Sequence, residues 1–190
     1  MLGDLDKTLK KLLTRDLGSS GNGASVSISF DIPVDGSIAN KPAINLFLYD
    51  VRENLEKRSS NWLSERQANG TAIRKPPPVK VDCSYFITTW SNSVNSQEEH
   101  KLLGEVMKVL LRYRQLPEEC LEGSLQGQEL PVRAVGLRPN PSQSLGEFWQ
   151  AMGGKPKATL NYTVTISVPI EGQEEEFPLV LENQAEIQFK

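Results

Sequence analysis

Val79-Lys-Val-Asp-Cys-Ser-Tyr-Phe-Ile-Thr-Thr-Trp90 is followed, after a short gap, by Ser96-Gln-Glu-Glu-His-Lys-Leu-Leu-Gly-Glu-Val-Met-Lys-Val-Leu-Leu-Arg112. In the first stretch Val79, Val81, Cys83, Tyr85, Ile87 and Thr89 alternate with Lys80, Asp82, Ser84, Phe86, Thr88 and Trp90, the period-2 pattern of a long strand. In the second, Ser96 and Glu99 have the spacing of a capping box. Leu102, Leu103, Val106, Met107, Leu110 and Leu111 then make one broad apolar helical face. Arg112 and Arg114 follow at the negative pole of that helix, and Pro117 stops it.

Upstream, Ala43–Val51 contains Ile44-Asn-Leu-Phe-Leu-Tyr49. Both parities are apolar apart from Asn45, so this reads as a central strand buried on two sides. Val26, Ile28, Phe30 and Ile32 alternate with serines and Asp31, a strand with one wet face. Leu5, Leu9, Leu12 and Leu13 recur at helical spacing, with Lys7, Lys10, Lys11 and Arg15 on the other side and Gly18 as a stop. This predicts an amphipathic N-terminal helix of about four turns, laid on the domain's own core or against a neighbouring subunit. Downstream, Leu130–Leu137 reads as a short strand. Ser144 and Glu147 repeat the capping-box spacing before Leu145, Phe148, Trp149 and Met152, and Gly153-Gly154 ends that helix. Ala158 to Ile170 alternates as the longest strand, half-exposed along its length.

Two segments stand apart. Residues 52–76 are polar and locally basic, with Trp62 alone among Arg52, Lys57, Arg58, Arg66, Arg74 and Lys75; a long excursion of this kind reads as an interaction loop. Pro76-Pro-Pro78 forces an extended entry into the next strand. The tail from Glu171 starts with an acidic run, then carries Phe177, Leu179, Leu181, Ile187 and Phe189. It reads either as a solvated turn with a closing strand or as an arm that adds as a strand to another subunit's sheet. The expected division is therefore an α/β domain over residues 1–170 and an acidic turn with an extended arm over 171–190.

The chain has 190 residues, of which 38% are hydrophobic, enough to build a core, and so chain-wide disorder is excluded. Its net charge is −3, so no overall positive field draws it to nucleic acid. No stretch approaches a membrane span. No signal peptide is visible at Met1-Leu-Gly-Asp-Leu-Asp6, and Cys83 and Cys120 lie far apart, so they read as reduced core thiols and assembly in the cytoplasm is expected.

Chemistry is hard to find. His100, the one histidine, stands among Glu98, Glu99 and Lys101. A couple between it and Cys83 or Cys120 would be the enzymatic reading, but neither cysteine has a nucleophile's context. Gly18-Ser-Ser-Gly-Asn-Gly23 has the wrong glycine order for a phosphate cradle. Gly123-Ser-Leu-Gln-Gly127 misplaces the serine of a nucleophile elbow. Asp50 and Glu53 around Arg52 read as a salt-bridged cluster. Asn69-Gly-Thr71 and Asn161-Tyr-Thr163 match the glycosylation pattern by chance. No catalytic residue, metal or cofactor is expected.

Four blocks carry a resemblance: Ala43-Ile-Asn-Leu-Phe-Leu-Tyr-Asp-Val-Arg-Glu-Asn54, Pro78 to Ser91, Glu99 to Leu111, and Gly146-Glu-Phe-Trp-Gln-Ala-Met-Gly-Gly154 with the Tyr162–Ile170 strand. With the leucine-rich N-terminal helix and the order of elements, they resemble the N-terminal domain of tail-terminator (cap) proteins of extracellular contractile injection systems, of the anti-feeding-prophage and virulence-cassette type. The resemblance implies an α+β fold: a single mixed, mainly antiparallel sheet with two to three helices packed on it. It implies a structural protein and not an enzyme. Such a protein forms a ring, usually of six, on the distal end of inner tube and sheath, stops polymerisation and fixes length. A domain of this length has a radius of gyration of about 16 Å, and six in a ring leave a hole of about 40 Å. The implied partners are copies of itself, the sheath protein and the inner tube protein, with no nucleic acid and no membrane for this chain alone. Candidate subunit or sheath contacts are Arg58, Trp62, Arg66, Trp90, Phe177, Leu179, Leu181, Ile187 and Phe189, with the tail as the strand offered to the sheath. The alternatives are a tail-completion protein at a head–tail joint and a cap that docks a particle on a membrane.

Overall fold

The computed structural model describes residues 1–18, 26–34, 36–67, 71–92, 96–128, 130–137, 145–170, 172 and 175–178. Helix α1 spans Leu2–Gly18, α2 Ser96–Arg112 and α3 Leu145–Ala151. The strands are β1 (Ser27–Ser29), β2 (Ala43–Glu53), β3 (Leu63–Arg66), β4 (Thr71–Lys75), β5 (Val79–Trp90), β6 (Arg133–Gly136), β7 (Leu160–Val168) and β8 (Glu175–Pro178). Single 3-10 turns lie at Leu55–Lys57, Glu118–Cys120 and Gly123–Leu125. The class is α+β, as read. By internal contacts the chain forms two units: Met1–Glu53 with Val81–Ser167, and Asn54–Lys80 with Val168–Lys190.

The first unit holds a five-stranded mixed sheet in the order β1-β2-β5-β7-β6. β1 runs parallel to β2, whereas β2 with β5 and β6 with β7 are antiparallel. β5 is the central strand, and its residues from Cys83 to Trp90 are buried on both parities. Helices on both faces explain that. On one face Tyr85 Oη donates to Asp6 Oδ1 of α1 at 2.9 Å, and Thr89 Oγ1 donates to the Glu99 carbonyl of α2 at 2.8 Å. On the other face Phe86 meets Phe148 of α3, ring centroids 4.3 Å apart and edge-on. The polar members of β5 are buried with partners: Trp90 Nε1 donates to Thr88 Oγ1 at 3.0 Å, and Ser84 Oγ lies 3.1 Å from Thr163 Oγ1.

α1 is laid on its own unit's core. Leu5, Leu9, Leu12 and Leu13 are fully buried. Its buried face packs on α2 and on the two turns at Glu118–Cys120 and Gly123–Leu125. Asp4 takes the Ser124 amide and hydroxyl at 3.2 and 2.8 Å. Those bonds, with the N-terminal ammonium, hold its carboxyl well below the usual range. Gly123 is required in that contact: its φ is +53°, and a Cβ there would stand 2.5 Å from Asp4 Cγ.

Asp6 is opposite in kind. Burial raises its carboxyl above the ordinary value, although the Tyr85 hydroxyl pulls the other way. The folded state therefore holds this proton more tightly than the unfolded chain does. The associated stability is present at low pH and is lost as pH rises through the ordinary and then the raised value. Asp6→Asn keeps an acceptor for Tyr85 and removes the charge. The variant should thus gain on the wild type as pH rises above the ordinary carboxyl value of about 4, read as a widening difference in melting temperature.

One local reading is corrected and one stands. Ser96 opens α2, but Glu99 is used otherwise than in a capping box: Oε1 accepts the Ser91 amide at 3.2 Å and Oε2 pairs with Lys157 at 2.8 Å. The carboxylate ties the end of β5 and the approach to β7 to the helix start, which a local spacing rule does not see. α3 ends as read, in a Schellman turn. Gly153, at φ +64°, donates to Gln150 O and Gly154 donates to Trp149 O, both at 3.1 Å. The capping residue expected at Ser144 lies outside the described residues.

The larger correction is residues 52–76, which are not a structureless loop. They supply β3 and β4, and with β8 these form a second, three-stranded antiparallel sheet in the order β3-β4-β8. Their alternation is masked because both faces of β3 are exposed, so no apolar parity marks it.

Candidate assembly surface

Of the five sequence-selected contact residues that are described, the second unit holds four: Arg58, Trp62, Arg66 and Phe177. Register sets its faces. Ser64 pairs with Arg74 and Arg66 with Ala72 across β3 and β4, and Ala72 pairs with Phe177 and Arg74 with Glu175 across β4 and β8. Paired residues share a side of the sheet. One face therefore carries Ser64, Arg66, Ala72, Arg74, Glu175 and Phe177. Trp62 joins it, because the Arg74 guanidinium lies over its ring, 5.1 Å from the centroid. The other face carries Leu63, Glu65, Ile73 and Lys75, and Glu65 Oε2 is 3.7 Å from Lys75 Nζ.

Among the described residues of this unit Ala72 is the one buried side chain. Leu55, Leu63 and Phe177 are exposed by 68, 42 and 37%. Among the described residues, these three strands thus present apolar groups at the surface beside their one buried side chain. Arg66 and Arg74 are exposed, and Arg58 follows the Leu55–Lys57 turn on the surface. Arg74 and Ile73 of the same sheet were not among the residues selected on sequence. Their signal was the Thr71–Lys75 alternation, hidden by Arg74 and Lys75.

Trp90, grouped with these residues on sequence, is a core side chain instead. It is 4% exposed, clusters with Ile38 and Ala43, and is capped by the Lys157 ammonium 3.8 Å from its ring centroid. Its strand is central in the first unit's sheet, and so the ring has no solvent side. Leu179, Leu181, Ile187 and Phe189 lie outside the described residues.

The groups weighed for chemistry are arranged as structure. Cys83 and Cys120 are buried free thiols. Burial pushes Cys83 up to about 11 and raises Cys120 as well, whereas a nucleophilic thiol needs its pKa lowered. His100 is exposed on α2. Arg52 Nε is 2.6 Å from Asp50 Oδ2, the expected salt bridge. Asn161, half-buried in β7, accepts from the Tyr49 hydroxyl at 3.1 Å. A hollow between α2 and β7, lined by Met107, Leu110, Leu111, Leu137, Leu160 and Tyr162, measures about 10 Å³; larger, open ones lie between residues 27–31 and 37–40, about 340 Å³, and along the side of α1 at residues 7–15, about 520 Å³. Among the described residues there is no group of three metal-binding side chains, and no helix is long and apolar enough to cross a membrane.

A model of the Pvc16 N-terminal domain family matches residues 4–183. The chain belongs to that family. Its fold is shared with two solved structures. One is the PVC sheath/tube terminator in the extended state, from the cryo-EM structure of an extracellular contractile injection system: 26% identity, TM-score 0.67, covering 96% of this chain and 63% of that one. The other is the anti-feeding prophage cap, a tube terminating cap: 25% identity, TM-score 0.64, covering 98% of this chain and 62% of that one. This Pvc16 N-terminal domain chain thus spans under two thirds of the length of either terminator. No curated protein matches it.

Proposed function

We propose that this chain is the terminator module of a phage-tail-like contractile injection system. It forms a ring of six on the distal end of inner tube and sheath, ends their polymerisation and so fixes particle length. It acts by shape and not by catalysis. The observation that carries this reading is the likeness to two terminators over nearly all of this chain. The raised pKa values of both thiols agree with it.

The physics is that of capping a filament. A closed ring made by a heterologous contact needs two different complementary patches on each copy. The second unit supplies a sheet whose described residues are mostly exposed or half-buried and carry charges of both signs. Inner tube and sheath are the partners at the ring's lower surface, and copies of this chain are its lateral partners.

The test is the length of assembled particles. Negative-stain images of particles produced with this gene should show one narrow length class, and particles produced without it should show sheath and tube of scattered length. Equal length distributions in the two preparations would overturn the reading.

A further inference from the structure

The first unit's sheet treats its two edges differently. At the β6 edge Leu116 N donates to Val132 O at 2.8 Å and Ala134 N donates to Arg114 O at 3.0 Å, so the chain's own segment after α2 pairs along the outer side. β1 is the last strand at the other edge. Its pairing phase is set by Ser27 N, which donates to Pro42 O at 2.9 Å in a parallel register of Ser27 with Ala43, Ile28 with Ile44 and Ser29 with Asn45. Alternate residues of a paired strand bond to the same neighbour. Ser27 and Ser29 therefore bond to β2. Ile28 turns its amide N–H and carbonyl away from the sheet, where they have no partner among the described residues.

The space that those groups face is open. The hollow of about 340 Å³ is lined by every residue from 27 to 31, with residues 37–40 across from them. Successive residues of a strand point to opposite faces, so a hollow that touches both parities runs along the edge and not over one face. β1 is short, yet Ser27, Ile28, Ser29 and Phe30 include none of the charges or prolines that guard an edge. Ile32, just beyond, is 51% exposed. Asp31 is the one charged residue on the hollow; it is exposed and accepts the Ser29 hydroxyl.

We propose that the β1 edge takes an extended segment of another protein as an added strand. The Ile28 N–H and carbonyl supply main-chain bonds to it. Its side chains alternate in step with those of β1: apolar ones beside Ile28 and Phe30, small or polar ones beside Ser27 and Ser29. Asp31 shares the serines' parity and calls for a lysine or arginine beside it, since opposite charges on neighbouring strands favour pairing. A second copy fits less well. Its β6 edge is already paired along residues 132–134, and residues 26–34 hold no cation to meet Asp31. The inference goes beyond the ring reading above and does not rest on it.

Hydrogen exchange tests the edge, and a peptide tests the partner. In the free protein at low concentration the Ile28 amide should exchange much faster than the Ser27 and Ser29 amides, which bond to β2. The probe is the pentapeptide Lys-Val-Ser-Val-Lys, whose pattern fits the edge in either direction. It should slow exchange at Ile28 and shift the amide resonances of residues 27–31. The same peptide with every amide nitrogen methylated should do neither. Ile28→Pro removes the outward N–H, leaves the bonds of Ser27 and Ser29 in place and is tolerated on an edge. It should weaken binding of the peptide at least about tenfold. Should that variant not fold, Asp31→Lys decides. It should prefer Glu-Val-Ser-Val-Glu by about threefold or more, reversing the preference of the wild type.

An Ile28 amide protected in the free protein at every concentration would mean that the chain closes this edge itself. Protection that grew with protein concentration would give the edge to a second copy. Either result overturns the proposal. So would a wild type that does not respond to the peptide, a methylated peptide that binds as its parent does, or an Asp31→Lys variant that keeps the wild-type preference. None of these results bears on particle length, so the terminator reading stands or falls separately.

Discussion

Phe86→Ala is expected to destabilise the first unit by about 3–5 kcal/mol, a large share of the total stability of an ordinary domain. Phe86 sits on the central strand and is 5% exposed. Tyr49 stacks on it with centroids 3.9 Å apart, and Phe148 meets it edge-on at 4.3 Å. Phe148 in turn packs on Trp149 at 5.5 Å. Removing the ring opens a cavity between the sheet and α3. Neighbours in staggered rotamers on two layers close such a cavity only in part. Tyr49 loses its stacking partner as well. It sits where the β2–β5 register shifts between Leu48 and Asp50, so the extra residue is aimed at Phe86. Urea unfolding should show the midpoint fall at an unchanged slope. A loss below about 1 kcal/mol would mean that α3 is not held on this face.

Leu9→Ala is expected to cost about 2–5 kcal/mol, and to cost the same at every protein concentration. Leu9 is fully buried at the middle of the α1 stripe, between Leu5 and the Leu12–Leu13 pair. The concentration clause decides between the two readings that the stripe allows. In a helix docked on another subunit the substitution would weaken association, and its cost relative to the wild type would change with dilution. In a helix on its own core it would not. The structure has the second arrangement, pinned at one end by Tyr85 to Asp6 and at the other by Arg15 to Glu119, 2.7 Å apart. A cost of the substitution, taken against the wild type at the same concentration, that changed with concentration would contradict it.

The elements legible in the sequence are those with one buried parity or stripe. Leu5, Leu9, Leu12 and Leu13 mark α1, and Leu103, Val106 and Leu110 mark the buried face of α2, to which the structure adds Val109. Leu111 was read onto that face and is 48% exposed, one position round the helix from the core. Ala43–Leu46 is buried on both parities, as its composition implies. Gly153-Gly154 closes α3 as glycine at C′ should. β7, by contrast, is shorter than its alternation: the pattern runs from Ala158 to Ile170, and the strand spans Leu160–Val168.

The candidate surface was half legible. Trp62, Arg66 and Phe177 were selected one by one as aromatic or basic residues in polar surroundings, and nothing in their spacing brings them together. Phe177 reaches the face of Trp62 and Arg66 only because β8 pairs with β4, with Thr71 Oγ1 donating to Glu176 Oε1 at 2.8 Å across 105 positions of chain. Trp90 was misread for the complementary reason. A tryptophan at a strand end can be an interface anchor or a core ring, and its neighbours in sequence are the same in both cases.

Local pattern in this chain therefore fixed the helices and the long strands of the five-stranded sheet and which side of each seeks cover, because the 3.6- and 2-residue periods are written residue by residue. Tertiary structure alone decided what covers them: that β5 lies between helices on both faces, that Glu99 serves Ser91 and Lys157, and that the charged middle and the acidic tail close into one small sheet. Sheet pairing is made by backbone groups common to every residue, between segments far apart in sequence. The partner of a polar strand is therefore set by where the rest of the chain puts it, and no single segment encodes it.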